Sequence, residues 1–155
     1  MDILRLYETP KPEKWTAEIA KSDWRAGQYL AELIAENRLR ELCGETTEVL
    51  LLADNDRLVS FCTIAEQDEI ADTDLRPWLG FVYTFPEYRG KRCIGRLIDF
   101  ACDIASSQGY DTLYVSTDQR GLYENFGFVY TCTKKMSIYG EMSMIYKRTL
   151  TIQEG

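Results

Sequence analysis

Residues 78–110, WLGFVYTFPEYRGKRCIGRLIDFACDIASSQGY, restrict the fold more than any other stretch of the chain. They read as a strand over 79–85, a stop at Pro86, a turn rich in glycine and arginine, and then a helix. The strand is almost continuously apolar or aromatic without strict alternation, the pattern of a central strand covered on both faces. In the helix, Ile94, Leu97, Ile98, Ala101, Cys102 and Ala105 recur at three- and four-residue steps, opposite Arg96, Asp99, Asp103 and Ser106. Gly109 supplies the stop. A strand emptying into a basic turn at a helix N-terminus suits phosphate, because first-turn N–H groups lack intrahelical acceptors and the peptide dipoles add partial positive charge. Arg89, Lys91 and Arg92 bring cations to the same place, and arginine makes bidentate phosphate contacts.

Composition limits the chemistry available. The chain has 155 residues and no histidine, which excludes a Ser–His–Asp triad and a Cys–His nucleophile. Cys43, Cys62, Cys93, Cys102 and Cys132 are dispersed without a CxxC pair, so free thiols in a reducing compartment are expected and no metal site is. Any chemistry falls to carboxylates, tyrosines, lysines, water or the backbone. A hydrophobic fraction of 45% argues against disorder. One domain over residues 1–155 is expected, with a short tail from about residue 149. No run reaches transmembrane length and the N-terminus lacks a leader pattern, so a cytoplasmic protein without membrane association is expected. The formal net charge of −7 disfavours nucleic acid and suits a cationic partner, although a plain soluble surface explains it equally well.

The flanking segments predict a mixed sheet. Residues 3–7 form a candidate first strand, and Pro10 and Pro12 precede a helix starting near Glu13. Asp23 is placed to cap a second helix that buries Leu30, Leu33 and Ile34. Strands over 48–53 and 58–65 form a hairpin around Asp54, Asn55, Asp56 and Arg57. A strand over 112–116 follows the long helix, so a parallel crossover is the economical connection. A short helix within 118–128, capped by Asp118 and closed by Gly127, precedes an antiparallel pair over 128–137 and 142–148. Exposed sheet edges make a homodimer an expectation.

Two motifs carry a resemblance to a known family. Pro86, Glu87, Tyr88, Arg89, Gly90 and Lys91, between strand and helix, resemble the acyl-coenzyme A-binding signature of the GCN5-related N-acetyltransferases. Leu122, Tyr123, Glu124, Asn125, Phe126, Gly127 and Phe128 resemble that family's second signature. With the flanking strands the resemblance covers roughly residues 49–148. It implies an α/β fold (α+β in some schemes): one domain whose mostly antiparallel mixed sheet has a central parallel pair and is flanked by helices. It also implies acetyl-coenzyme A as cosubstrate. The cofactor would be held by Val82, Tyr83, Thr84, Arg89, Gly90, Lys91, Arg92, Cys93, Ile94, Gly95, Arg96 and Tyr123, the first three through their main chain. The glycines depart from the family pattern. An ungapped match sets Arg92 and Ile94 at the glycine positions, with Gly95 one place late. Either backbone amides ring the pyrophosphate without those glycines, or a one-residue shift lets Gly95 serve. The ungapped register is favoured because it keeps the apolar face of the helix in phase.

The implied reaction is direct attack of a primary amine on the acetyl thioester. It needs a neutral amine, a donor for the developing oxyanion, and a proton for the leaving thiolate. Tyr123 matches the family's general acid. Glu66 and Asp68 are candidates for a base or an ammonium-binding carboxylate, with Asp72 and Asp74 adding negative field. Trp24, Tyr29 and Trp78 are candidates for the acceptor pocket, although helix-to-sheet packing explains such aromatics as well. The acceptor is a small-molecule or peptide amine, with cationic ones favoured. A non-catalytic acyl-coenzyme A-binding or regulatory module and an acidic protein-interaction domain are the alternatives.

Overall fold

The computed structural model describes residues 1–68, 70, 73–136 and 141–151. Seven strands are formed: β1 (Asp2–Arg5), β2 (Glu48–Asp54), β3 (Arg57–Ala65), β4 (Trp78–Thr84), β5 (Thr112–Thr117), β6 (Val129–Lys135) and β7 (Met142–Thr149). Four helices accompany them: α1 (Pro12–Ala20), α2 (Arg25–Ala35), α3 (Leu39–Cys43) and α4 (Cys93–Ser107). The strands make one sheet in the order β1-β2-β3-β4-β5-β7-β6. Only β4 and β5 run parallel, joined by the α4 crossover, and every other pair is antiparallel. The mixed, mostly antiparallel sheet with a central parallel pair matches the expectation from the sequence.

Both sheet faces are covered, which accounts for the continuous apolar strands. In β2, Leu50 and Leu52 join Leu97, Ile98, Ala101 and Ala105 of α4 in one core. The alternate residues Val49, Leu51 and Ala53 pack with Trp15 and Ile19 of α1 and with Leu30, Leu33 and Ile34 of α2. The β2–β3 hairpin closes at the Asp54–Arg57 pair, and Asn55 takes a φ of 54° that asparagine tolerates at a tight turn.

Two local expectations are corrected. Asp23 does not cap α2; Trp24 is the extended residue before the helix, and no side chain bonds its first turn. Asp118 does not cap the short helix, which is a 3-10 turn at Tyr123–Phe126 preceded by Leu122 and closed by Gly127 at φ 85°. Just beyond β7, Leu150 is buried and its N–H donates to the Asp111 carbonyl at 2.8 Å. Residues 139 and 140, the expected tip between β6 and β7, lie outside the described residues. Among the described residues, no helix is long and apolar enough to cross a membrane, and no group of histidine, cysteine or carboxylate side chains is arranged to hold a metal.

Candidate active site

The parallel pair opens almost as soon as it forms. β4 and β5 are in register only at Trp78–Tyr114 and Leu79–Val115, supported by the Tyr114 N–H donating to the Pro77 carbonyl at 3.0 Å. Beyond Leu79 the strands diverge, while β4 continues beside β3 as far as the Ser60–Thr84 pair. A register shift in β4 accompanies the divergence. Phe81 there adopts a φ of 47°, a left-handed conformation that costs a bulky residue about 1–3 kcal/mol. The shift puts Leu79 and Val82 on the α4 side and Phe81, Tyr83 and Phe85 on the other. This explains the missing alternation in the sequence.

Val82 falls inside that shift and has no ladder partner in β3 or β5. The Tyr83 carbonyl accepts from Ser60 Oγ at 2.6 Å, and the Thr84 carbonyl accepts from Arg89 Nε at 2.9 Å. Of these three residues, Val82 is the one without a register partner in either neighbouring strand.

The opening leads into the basic turn. A 3-10 turn (Pro86–Tyr88) starts it, Gly90 takes φ 81°, and Arg92 sits at φ 56°, ψ 32° immediately before α4. Among the described residues, the amides of Gly90, Lys91, Arg92, Cys93 and Ile94 have no main-chain acceptor, whereas the Gly95 N–H already donates to Arg92 O at 3.1 Å. The result is a run of consecutive free donors at the N-terminus of a 15-residue helix, the physical requirement for an anion site. Gly95 lies inside α4, not in the turn. A Cβ on it would stand 3.2 Å from Phe126 Cε1, so its smallness admits the Tyr123–Phe126 turn against the helix.

The cations around this turn differ in where they point. Arg89, Lys91, Arg92 and Arg96 are all exposed. Arg89 folds back over the Tyr83 ring at 5.4 Å, and Lys91 lies 5.9 Å from the Tyr88 ring. Arg92 donates to Asn125 O at 3.1 Å and covers Phe126 at 5.5 Å. Cys93 is buried, with its thiol turned to the Tyr88 carbonyl, so only its amide faces the turn.

Tyr123 belongs to the core on the α4 side of the sheet. It packs in the same core as Leu79 and Val115, the last residues that pair β4 with β5, and its ring meets Phe128 edge-on at 5.7 Å. No protein group among the described residues hydrogen-bonds its hydroxyl. Burial, with smaller contributions from the Cys62 thiol and the Asp68 carboxylate, holds its pKa above the ordinary 10.0. The phenol is therefore a neutral donor at any physiological pH.

The remaining candidates separate. Asp68 is near enough for its charge to act on Tyr123. Glu66 instead lies over Gly44, with its Cδ 2.7 Å from where a Cβ on that glycine would be, beside the bond from Gln67 N–H to Cys43 O. Asp74 is exposed, and Asp72 lies outside the described residues. Trp78 is 1% exposed and donates from Nε1 to Leu75 O at 2.7 Å in a cluster with Ile70, Tyr114 and Ile145. Trp24 is half-buried, stacked on Tyr83 at 5.7 Å and edge-on to Phe81 at 6.5 Å. Tyr29 is exposed on α2. These three aromatics form no common wall: Trp24 packs on Phe81 and Tyr83, and Trp78 belongs to a separate core. Sequence reasoning gave no role to Phe81 and read Asp23 as a helix cap, although Asp23 accepts the hydrogen bond of the Tyr83 hydroxyl.

A sheet that parts at its single parallel strand pair, beside a helix N-terminus with free amides and a buried phenol, has the architecture of acyl-group transferases. The chain belongs to the acetyltransferase (GNAT) family, whose model matches residues 2–128. Comparison with curated protein sequences gives no significant match. Solved structures align over the whole chain. An aminoglycoside 6′-N-acetyltransferase complexed with coenzyme A has a TM-score of 0.71 at 16% identity, with 100% of both chains covered. The aminoglycoside 6′-N-acetyltransferase from Enterococcus faecium gives 0.72 at 16% identity, again with 100% of each chain covered. An aminoglycoside 6′-acetyltransferase type Ii gives 0.72 at 18% identity over 99% of both. At these identities the likeness is one of fold.

Proposed function

We propose that this protein is an acetyl-coenzyme A-dependent N-acetyltransferase acting on a primary amine, with cationic acceptors favoured. The observation that carries the reading is the meeting of three features at one opening. They are the divergence of β4 from β5, the free amides of residues 90–94, and the neutral phenol of Tyr123. The residues present fit coenzyme A: a slot lined by strand backbone suits an amide-bearing arm, and the basic turn suits a pyrophosphate. When bound, the cosubstrate supplies an activated acetyl thioester.

The protein's part is to bind, orient and move protons. The amides of Gly90 to Ile94 and the cations of Arg89, Lys91 and Arg92 hold negative charge. Val82, without a register partner in β3 or β5, is the residue assigned to meet the cosubstrate's arm through its main chain. Tyr123 holds its proton at Oη for a departing sulfur, because burial disfavours the phenolate. Asp68, whose charge acts on Tyr123, is the better placed carboxylate to take a proton from, or attract, an incoming ammonium. Glu66, seated over Gly44, is the weaker candidate. Trp24 and Phe81 flank the mouth on the α1–α2 face, where the amine would enter.

The test is release of free thiol from acetyl-coenzyme A across a panel of polyamines, amino sugars, amino-acid derivatives and peptides. Turnover with at least one primary amine is expected, with the cationic members fastest. Coenzyme A binding without turnover on any amine would reduce the protein to a binding module. The double variant Arg89→Gln, Lys91→Gln should raise the calorimetric Kd for coenzyme A about tenfold or more, the loss expected for charge-assisted contacts. An unchanged Kd would remove those side chains from the phosphate site.

A further inference from the structure

Arg92 occupies a backbone position that glycine fills without strain. Its left-handed φ of 56° costs an L-residue about 1–2 kcal/mol. Its guanidinium leans along the 3-10 turn onto Asn125 O and the Phe126 ring, and so borders a surface cavity of about 430 Å³ between α4 and that turn. A second guanidinium, Arg148 of β7, lines the same cavity. Arg148 Nη1 donates to Asp99 Oδ1 at 3.0 Å and to Phe126 O at 3.2 Å, and the side chain remains 29% exposed. Asp99 is the only carboxylate among the described lining residues, so two cations and one anion line the cavity. The cavity adjoins the free amides of the phosphate turn through Arg92 itself.

We propose that this cavity is a second anion subsite, in which Arg92 and Arg148 take the phosphomonoester on the adenosine 3′ position of coenzyme A. The inference rests on the coenzyme A reading above and deepens it: the protein distinguishes coenzyme A from dephospho-coenzyme A. A phosphomonoester carries close to two negative charges at neutral pH and three acceptor oxygens, which match two arginine forks better than one. Asp99 has a double effect. It orients Arg148 and offsets part of its charge, so it sets how strongly the phosphate is preferred.

The experiment is calorimetric titration of the full chain with coenzyme A and with dephospho-coenzyme A. Wild-type protein should bind coenzyme A about tenfold tighter, the scale of a charge-assisted contact. Arg148→Gln should bring that ratio close to one, mainly by weakening coenzyme A, while Arg148→Lys keeps part of it. Asp99→Asn should increase the ratio, an outcome that mere loss of packing cannot produce. Equal binding of the two ligands by wild type, or an equal loss of both in Arg148→Gln, overturns the subsite. Saturable binding of inorganic phosphate with no discrimination between the two ligands overturns it in favour of a free-anion site. If neither ligand binds, the coenzyme A reading falls and the subsite with it.

Discussion

Replacing Tyr123 by phenylalanine lowers kcat by about a hundred- to a thousandfold, the range for loss of a positioned general acid. The Kd for coenzyme A and the melting temperature move little. The hydroxyl removed has no hydrogen-bond partner among the described residues, and the ring keeps its contacts with Phe128 and the surrounding core. Single-turnover kinetics with a reactive amine would isolate the chemical step. Retention of full single-turnover rate by the variant across pH sinks the assignment. The wild-type profile carries a second check. The folded pKa is raised above 10.0, chiefly by burial, so Tyr123 keeps its proton while an unfolded tyrosine would lose one. Its contribution to stability is then complete below about pH 10 and declines above it, as the unfolded chain ionises first. A fall in kcat from loss of the acid therefore belongs above pH 10. A fall near pH 8 would have to come from another group.

Trp78→Ala is the largest expected stability loss, about 3–5 kcal/mol for emptying a large aromatic site. At this chain length that corresponds to a fall in Tm of about 10 °C or more. Trp78 is 1% exposed, bonded to Leu75 O and packed on Tyr114. The acceptor KM of the folded fraction should be unchanged. Trp24→Ala should show the opposite division, with a smaller change in Tm and a raised KM for the amine, because the ring is half-buried beside Phe81 at the mouth. Thermal unfolding and steady-state kinetics on both variants decide the matter. A stable Trp78→Ala protein with a raised acceptor KM would return Trp78 to the pocket.

The legible parts of the fold are those where local chemistry and tertiary role coincide. α4 was readable because its apolar period persists over four turns, and the phosphate turn because Pro86 and Gly90 punctuate it. The Tyr123–Phe126 turn was readable from Gly127, which takes the positive φ its C-terminus needs. The illegible parts are those where a distant contact overrules a local preference. Phe81 has no propensity for a positive φ; the change in pairing between β3 and β4 imposes it. Asp23 is a good helix cap by composition, yet the Tyr83 hydroxyl, sixty residues away, takes its carboxylate. Gly95 looked like a displaced turn glycine, but its reason is Phe126. The insertion of β7 between β5 and β6 follows from pairing that no local pattern encodes.

The brief contact between β4 and β5 also bears on how the molecule holds itself together. Among the described residues, two β4–β5 residue pairs, the adjoining Tyr114–Pro77 bond and one isolated bridge between Ile70 and Met136 are the backbone pairing that joins a four-stranded half-sheet, β1 to β4, to a three-stranded one, β5 to β7. Side chains also span the seam, from α4 and Tyr123 on one face and from the Ile70, Trp78 and Ile145 cluster. Amide hydrogen exchange should therefore report two cooperative units that open separately, with Tyr114 and its neighbours exchanging faster than the interior of β2 and β3. A ligand arm bonded to the unpaired edge of β4 would then act as a missing strand, suturing the halves and slowing exchange on both sides of the seam. Uniform protection across the sheet without ligand would show that side-chain packing alone makes the halves one unit.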